Sequence, residues 1–167
     1  ISTAGSVEII RQAKQRGLKI TADTAPPYFM MNEVAVSGYD TRMKMNPPLR
    51  CEEDREAIVE GLSDGTIDAV ASDHIPVNPD MKNQPFTLAS CGGAGLETVL
   101  QMTAKLVHGE QFSWQRAFDL LSTGPARILK LDGGSLEKDK PADLVQIDPH
   151  AACVIDAQRF KSLSRIS

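Results

Sequence analysis

Residues 66–72 read Thr-Ile-Asp-Ala-Val-Ala-Ser, a short, β-branched and mostly apolar run that leads straight into Asp73 and His74. A strand with so few polar residues suits cover on both faces, the setting of a parallel sheet. Upstream, Val7, Ile9, Ile10 and Ala13 give an apolar face at helical spacing, and Gly17 is placed to end that helix. Leu18, Ile20 and Ala22 then alternate with Lys19, Thr21 and Asp23, which predicts another strand. Glu52, Glu53 and Asp54 sit where a helix N-terminus favours negative charge, and Ala57, Ile58, Val59 and Leu62 supply its buried side. The order helix, strand, helix, strand, helix implies an α/β fold of right-handed βαβ units. Two or three such units are too few to close a barrel of eight.

The connecting segments carry their own signals. Residues 32–39 read as a short excursion, and Pro47 and Pro48 impose an extended backbone around Asn46. Residues 75–90 form a long polar stretch with Pro76, Pro79 and Pro85, expected as a loop whose length and polarity suit a lid. Residues 96–108 look helical and stop at Gly109. Ser113 is placed to cap a helix through Leu121, and Pro125 to sit in the first turn of another ending near Leu131. After Gly133 the texture changes: Gly134, Ser135, Pro141 and Pro149 punctuate short segments, and Leu144, Val145 and Ile147 predict a small strand. The expected division is therefore an α/β part over residues 1–132 and the start of a β module over 133–167.

Composition narrows the function classes. Aromatic residues make up only 5% of the 167, so the core must be mainly aliphatic. Acidic and basic residues are interspersed at a net charge of −4, with no basic stripe of the kind nucleic acid requires. No apolar run approaches the roughly 20 residues that span a bilayer, and no signal-peptide pattern is present. Cys51, Cys91 and Cys153 are far apart and odd in number, which argues against a disulfide framework or a CxxC zinc site and fits a reducing compartment. The opening at Ile1 reads as a chain met in mid-fold, so a fragment of a longer protein is expected.

Asp73 is the strongest candidate for chemistry. In α/β barrels the reacting groups lie at the C-terminal ends of the strands. A carboxylate there can bind a divalent metal, accept a proton from metal-bound water and return it to a leaving nitrogen. On chemistry alone the commoner reading is an ordinary turn residue after a strand. His74 is a ligand, an orienting partner or simply loop. His108 stands at a predicted helix C-terminus and His150 follows a proline. Neither has a second ligand at metal spacing, so the chain alone cannot build a three-ligand zinc site. The amide of Asn46 offers a donor and an acceptor together, matching the edge of a cyclic amide, or it is a turn residue before prolines. The run Cys91-Gly92-Gly93-Ala94-Gly95 lacks a phosphate-loop signature; it permits close backbone approach to a small ligand, or serves as a joint before the helix.

The run MNPPLRCEEDREAIVEGLSDGTIDAVASDHIP over residues 45–76 closely resembles the long-chain dihydroorotases, with the allantoinases and hydantoinases nearby. STAGSVEIIRQAKQRGLKITAD, GLETVL, PARIL and GSLEKDKPADLVQIDPH extend the resemblance over nearly the whole chain. It implies the C-terminal part of a TIM-like (β/α)8 metal-dependent hydrolase barrel, followed by part of a small β-sandwich. It implies reversible zinc-dependent hydrolysis of dihydroorotate to N-carbamoyl-aspartate in pyrimidine biosynthesis, with one or two zinc ions. By the same resemblance Asp73 matches a metal ligand and proton shuttle, Asn46 a substrate-binding asparagine, and Cys91 and Gly92 a pair whose backbone meets the pyrimidine ring. A cytoplasmic protein follows, working as a homodimer or with aspartate transcarbamoylase, and without nucleic-acid or membrane partners.

Three departures stand out. Cys91 replaces a usual phenylalanine. Val77 stands where the family's DHAPH pattern has its second, substrate-binding histidine, and Ala25-Pro26-Pro27-Tyr28 replaces TPHH. The histidine ligand before the STxxSV motif would fall just before Ile1, and the family's other histidine ligands further upstream. The departures admit two alternatives: an allantoinase- or hydantoinase-type hydrolase, or an inactive dihydroorotase-like subunit that supports aspartate transcarbamoylase.

Overall fold

The computed structural model describes residues 1–162; residues 163–167, the end of the expected β module, lie outside the described residues. Thr3 begins the first helix. Its hydroxyl accepts the Ser6 N–H at 3.2 Å, and α1 runs Ala4–Gln15. The Ala4 N–H, left over at the helix start, donates to the Asp54 carboxylate at 2.7 Å. α3 (Glu52–Asp64) has the predicted acidic first turn and packs its Ile58, Val59 and Leu62 face inward. Between these helices lie β1 (Asp23–Thr24), the short α2 (Pro26–Met30) and two 3-10 turns, Glu33–Val36 and Thr41–Met43.

β2 is Ala69–Val70, and it pairs with β1 in parallel, Asp23 opposite Ala69 and Thr24 opposite Val70. The parallel pairing through a helical crossover is as expected, but both strands are shorter than the apolar runs suggest. Leu18 is exposed, and the segment before Ala22 has no ladder partner among the described residues. Pairing is confined to the stretch where Asp68 and Ala71 donate to the carbonyls of Ala22 and Thr24, both at 2.8 Å. Asp68 reinforces it. Its carboxylate accepts the Ala22 N–H at 2.9 Å and the Lys14 ammonium at 2.7 Å, tying α1 to the sheet.

Beyond β2 the chain forms a one-turn helix α4 (Pro79–Lys82) inside the expected loop, then α5 (Val99–His108), shorter than predicted at its N-terminal end. Ser113 caps α6 (Trp114–Phe118) as anticipated. The helix does not stop at Leu121. It widens into a π-helical turn, Asp119–Thr123, and re-forms as α7 (Gly124–Leu129) with Pro125 in its first turn. Arg116 staples this region to the sheet side, donating to the Leu62 and Ile67 carbonyls at 2.9 and 2.7 Å and pairing with Asp119 at 2.7 Å. Ile128 and Leu129 of α7 line a cavity together with residues 21–23 and 69–71.

The main core joins Val7, Phe29, Ile58, Val59, Leu62, Ile67, Val70, Leu106 and Leu120. It is aliphatic apart from Phe29, as the scarcity of aromatics requires. Among the described residues, no strand follows Val70. Leu144, Val145 and Ile147 do not form the strand predicted for them, and Leu144 and Val145 are exposed. A strand needs a ladder partner and an apolar surface to lie on, and the described residues offer this segment neither. Among the described residues no helix is long and apolar enough to cross a membrane.

Gly95 fixes how the glycine-rich run meets the end of β2. A Cβ there would lie 2.1 Å from the Ser72 carbonyl oxygen, whereas at Gly93 it would meet only the Met45 methyl at 3.5 Å. Gly95→Ala is therefore expected to destabilise the complete protein by about 1–3 kcal/mol, with Gly93→Ala close to neutral, as read from denaturant midpoints. Ile58→Ala, which empties a fully buried position, should cost about 2–5 kcal/mol in the same measurement.

Candidate functional site

The chain leaves β2 and, after Ala71 and Ser72, places Asp73 at the sheet's C-terminal end. Asp73 has φ 47°, in the left-handed region. Aspartate tolerates that conformation better than most residues, and backbone strain of this kind gathers at working sites. Asp73 lines a cavity of about 380 Å³ with Ser72, residues 93–95, Thr98 and Arg42. The rest of the wall is largely thioether and proline: Met30, Met31, Met43, Met45, Met102, Pro26 and Pro27.

The neighbouring loops are held by backbone bonds. His74 bridges Gly93 in parallel register, and the Ile75 N–H donates to the Gly93 carbonyl at 2.9 Å. The His74 imidazole accepts the Leu96 N–H at Nδ1, 3.3 Å away. His74 thus secures the glycine run beside Asp73.

The other candidates flank the cavity without lining it. Asn46, exposed in this chain, follows Met45, which does line it; the Asn46–Pro47 peptide is cis. Cys91 is half-buried and Gly92 buried, just before the lining residues 93–95. The Gly92 N–H is already committed to the Lys44 carbonyl at 3.0 Å. What remains at that pair for a ligand is the Cys91 N–H and the two backbone carbonyls.

Tyr28 is the residue that sequence reasoning did not single out. It is buried, and its hydroxyl donates to the Pro47 carbonyl at 3.1 Å. Burial, followed by the negative charge of Asp73, pushes its phenol up to about 12, against the opposing pull of Arg50. It thus keeps its proton at neutral pH and joins the Asp73 end of the cavity to the Asn46–Pro47 segment. The only signal in the sequence was its place in Ala25-Pro26-Pro27-Tyr28, one of the three departures. Arg50 contributes a second unusual feature: its buried Nε has no hydrogen-bond partner. Val77, where the family has a histidine, is buried.

Among the described residues no group of three His, Cys, Asp or Glu side chains is placed to hold a metal ion. Asp73 is one carboxylate, and Nδ1 of its histidine neighbour is occupied. Zinc takes three or four protein ligands, so the residues present do not fit it by themselves.

Comparison with known proteins is consistent over the full chain. Residues 2–165 match the model of the amidohydrolase family. A dihydroorotase from Syntrophotalea carbinolica is 52% identical over 165 residues, 99% of this chain and 39% of that protein. One from Geotalea daltonii is 48% identical over 167 residues, 100% of this chain and again 39% of the relative. Among solved structures, the L-hydantoinase (dihydropyrimidinase) from Arthrobacter aurescens superimposes with a TM-score of 0.88 at 27% identity, covering 99% of this chain and 39% of that one. The chain thus spans about two-fifths of the length of these relatives. At this breadth of match, an α/β chain carrying Asp73 at the end of a parallel strand belongs to the amidohydrolase family.

Proposed function

We propose that this chain is the C-terminal part of a dihydroorotase, which opens the cyclic amide of dihydroorotate to N-carbamoyl-aspartate and closes it again. The observation that supports this most is the 52% identity to a dihydroorotase over 99% of the chain. In this reading residues 1–132 are the closing portion of a (β/α)8 barrel. Residues 133–167 add to a β-sandwich whose other strands come from elsewhere in the protein, which accounts for the exposed Leu144 and Val145. The active form is a homodimer or a complex with aspartate transcarbamoylase.

Asp73 is the proton carrier. Its carboxylate accepts a proton from the attacking water and returns it to the ring nitrogen as the C–N bond breaks, the two halves of general acid–base catalysis. Its left-handed backbone aims it into the cavity instead of along the strand. Asn46 meets the donor–acceptor edge of the amide with its own. Cys91 and Gly92 offer backbone carbonyls to the ring N–H groups. Zinc enters this proposal only with ligands from outside this chain, to which Asp73 would add one carboxylate.

A second reading is favoured by one feature. The cavity wall is mostly apolar, and buried Val77 removes a polar group from the loop beside it. The methionine wall suits a hydantoin with an apolar substituent, whereas Arg42 and Lys105 on the same wall suit a ring bearing a carboxylate. Turnover of dihydroorotate, allantoin and 5-substituted hydantoins by the complete protein decides between the two.

Asp73→Asn separates charge from shape, because asparagine also tolerates the left-handed region. In the complete protein it should lower kcat for dihydroorotate by about 10²–10⁴-fold while the melting temperature stays near wild type. Asp73→Ala should lose activity equally and some stability too. Wild-type turnover by Asp73→Asn would sink the assignment of Asp73.

A further inference from the structure

Lys82 is fully buried, yet no carboxylate pairs with it among the described residues. Its ammonium donates to two backbone carbonyls, of Thr41 at 2.8 Å and of Lys44 at 3.4 Å. Asp40 attracts it only from beyond ion-pair distance and Lys44 repels it, so burying this ammonium is expensive. What the buried ammonium supplies is a fixed geometry between the segments it joins.

That geometry is reciprocal. Lys82 reaches from the 75–90 segment back to residues 41–44. Lys44 reaches the opposite way, its ammonium donating to the carbonyls of Phe86, Thr87 and Ala89 at 2.7, 3.2 and 2.7 Å. It also lies 5.4 Å from the centre of the Phe86 ring. The Ser90 N–H closes the loop on the Met81 carbonyl at 3.0 Å. The Lys44 carbonyl is the shared point: it accepts both Lys82 and the Gly92 N–H. Two residues past Lys44 is Asn46, and one before Gly92 is Cys91.

We infer that Lys44 and Lys82 form a crossed clasp that sets the spacing between Asn46 and Cys91–Gly92, and so act as positioning residues for substrate binding. This rests on the substrate roles proposed above for Asn46, Cys91 and Gly92. It assigns residues 75–90 a fixed, anchored state in place of the mobile lid that their length and polarity suggest. A clasp of this kind acts on ground-state and transition-state binding alike, and therefore on KM more than on kcat.

The test uses the complete protein with Lys82→Met, Lys44→Met and the double variant, assayed on dihydroorotate. KM should rise about tenfold in each single variant with kcat changed by less than about threefold. The double variant should be little worse than either single one, because both lysines fasten the same two segments, 41–44 and 82–89, to each other. Amide hydrogen exchange at Ser90 and Gly92 should accelerate in Lys82→Met while α1 and α3 keep their protection. Equal falls in kcat and kcat/KM with KM unchanged, additive effects in the double variant, or unaltered exchange at Ser90 and Gly92 would each overturn the clasp. If Lys82→Met does not fold, Lys44→Met carries the same readouts. A wild-type protein that turns over no cyclic amide defeats the dihydroorotase reading instead, and the exchange measurement then decides the clasp by itself.

Discussion

Asp68 is the point on which the arrangement hangs. Its backbone N–H donates to Ala22, its carboxylate takes back the Ala22 N–H, and the same carboxylate holds the Lys14 ammonium. One residue therefore sets the parallel register of two strands and the seat of the first helix above them. A two-residue ladder is too short to define itself, and hydrogen bonds to a charged group are stronger than neutral ones. With the register set, Ala71 finds Thr24, and the chain emerges with Asp73 at the sheet's end beside the glycine run.

The candidate site is then assembled from loops that brace one another. His74 holds Gly93 and Leu96, Tyr28 holds Pro47, and two lysines tie the 41–46 segment to the 78–92 segment. Functional side chains on loops require such bracing, because a displacement of about 1 Å at a reacting group is enough to cost much of the rate. The bracing here comes mainly from side chains and backbone groups capturing carbonyls and N–H groups of other loops.

What was legible in the sequence follows from range. α3 announced itself through its acidic first turn and its apolar spacing, and the α6 start through Ser113, because both signals are local. Strands depend on partners far along the chain. The alternation at Leu18 and Ile20 and the apolar run at Leu144 are real patterns that find no ladder among the described residues. Asp73 was readable by its place after an apolar run, but its left-handed backbone was not. Tyr28 became visible only once folding had brought residues 28, 47 and 73 together. Nothing local announced the burial of Lys82, since lysine is among the residues least often buried.

The π-helical turn at Asp119–Thr123 carries a consequence for length variation. A turn of this kind amounts to one surplus residue in an α-helix. Deleting one position between Asp119 and Thr123 would restore ordinary α-helical winding and leave everything downstream on nearly the same face, because five residues of the wide turn sweep about as far around the axis as four of an α-helix. Ile128 and Leu129 would then keep their places beside residues 21–23 and 69–71. The turn therefore absorbs a change of one residue in length, where the same deletion inside α3 would swing everything beyond it by about 100° around the axis.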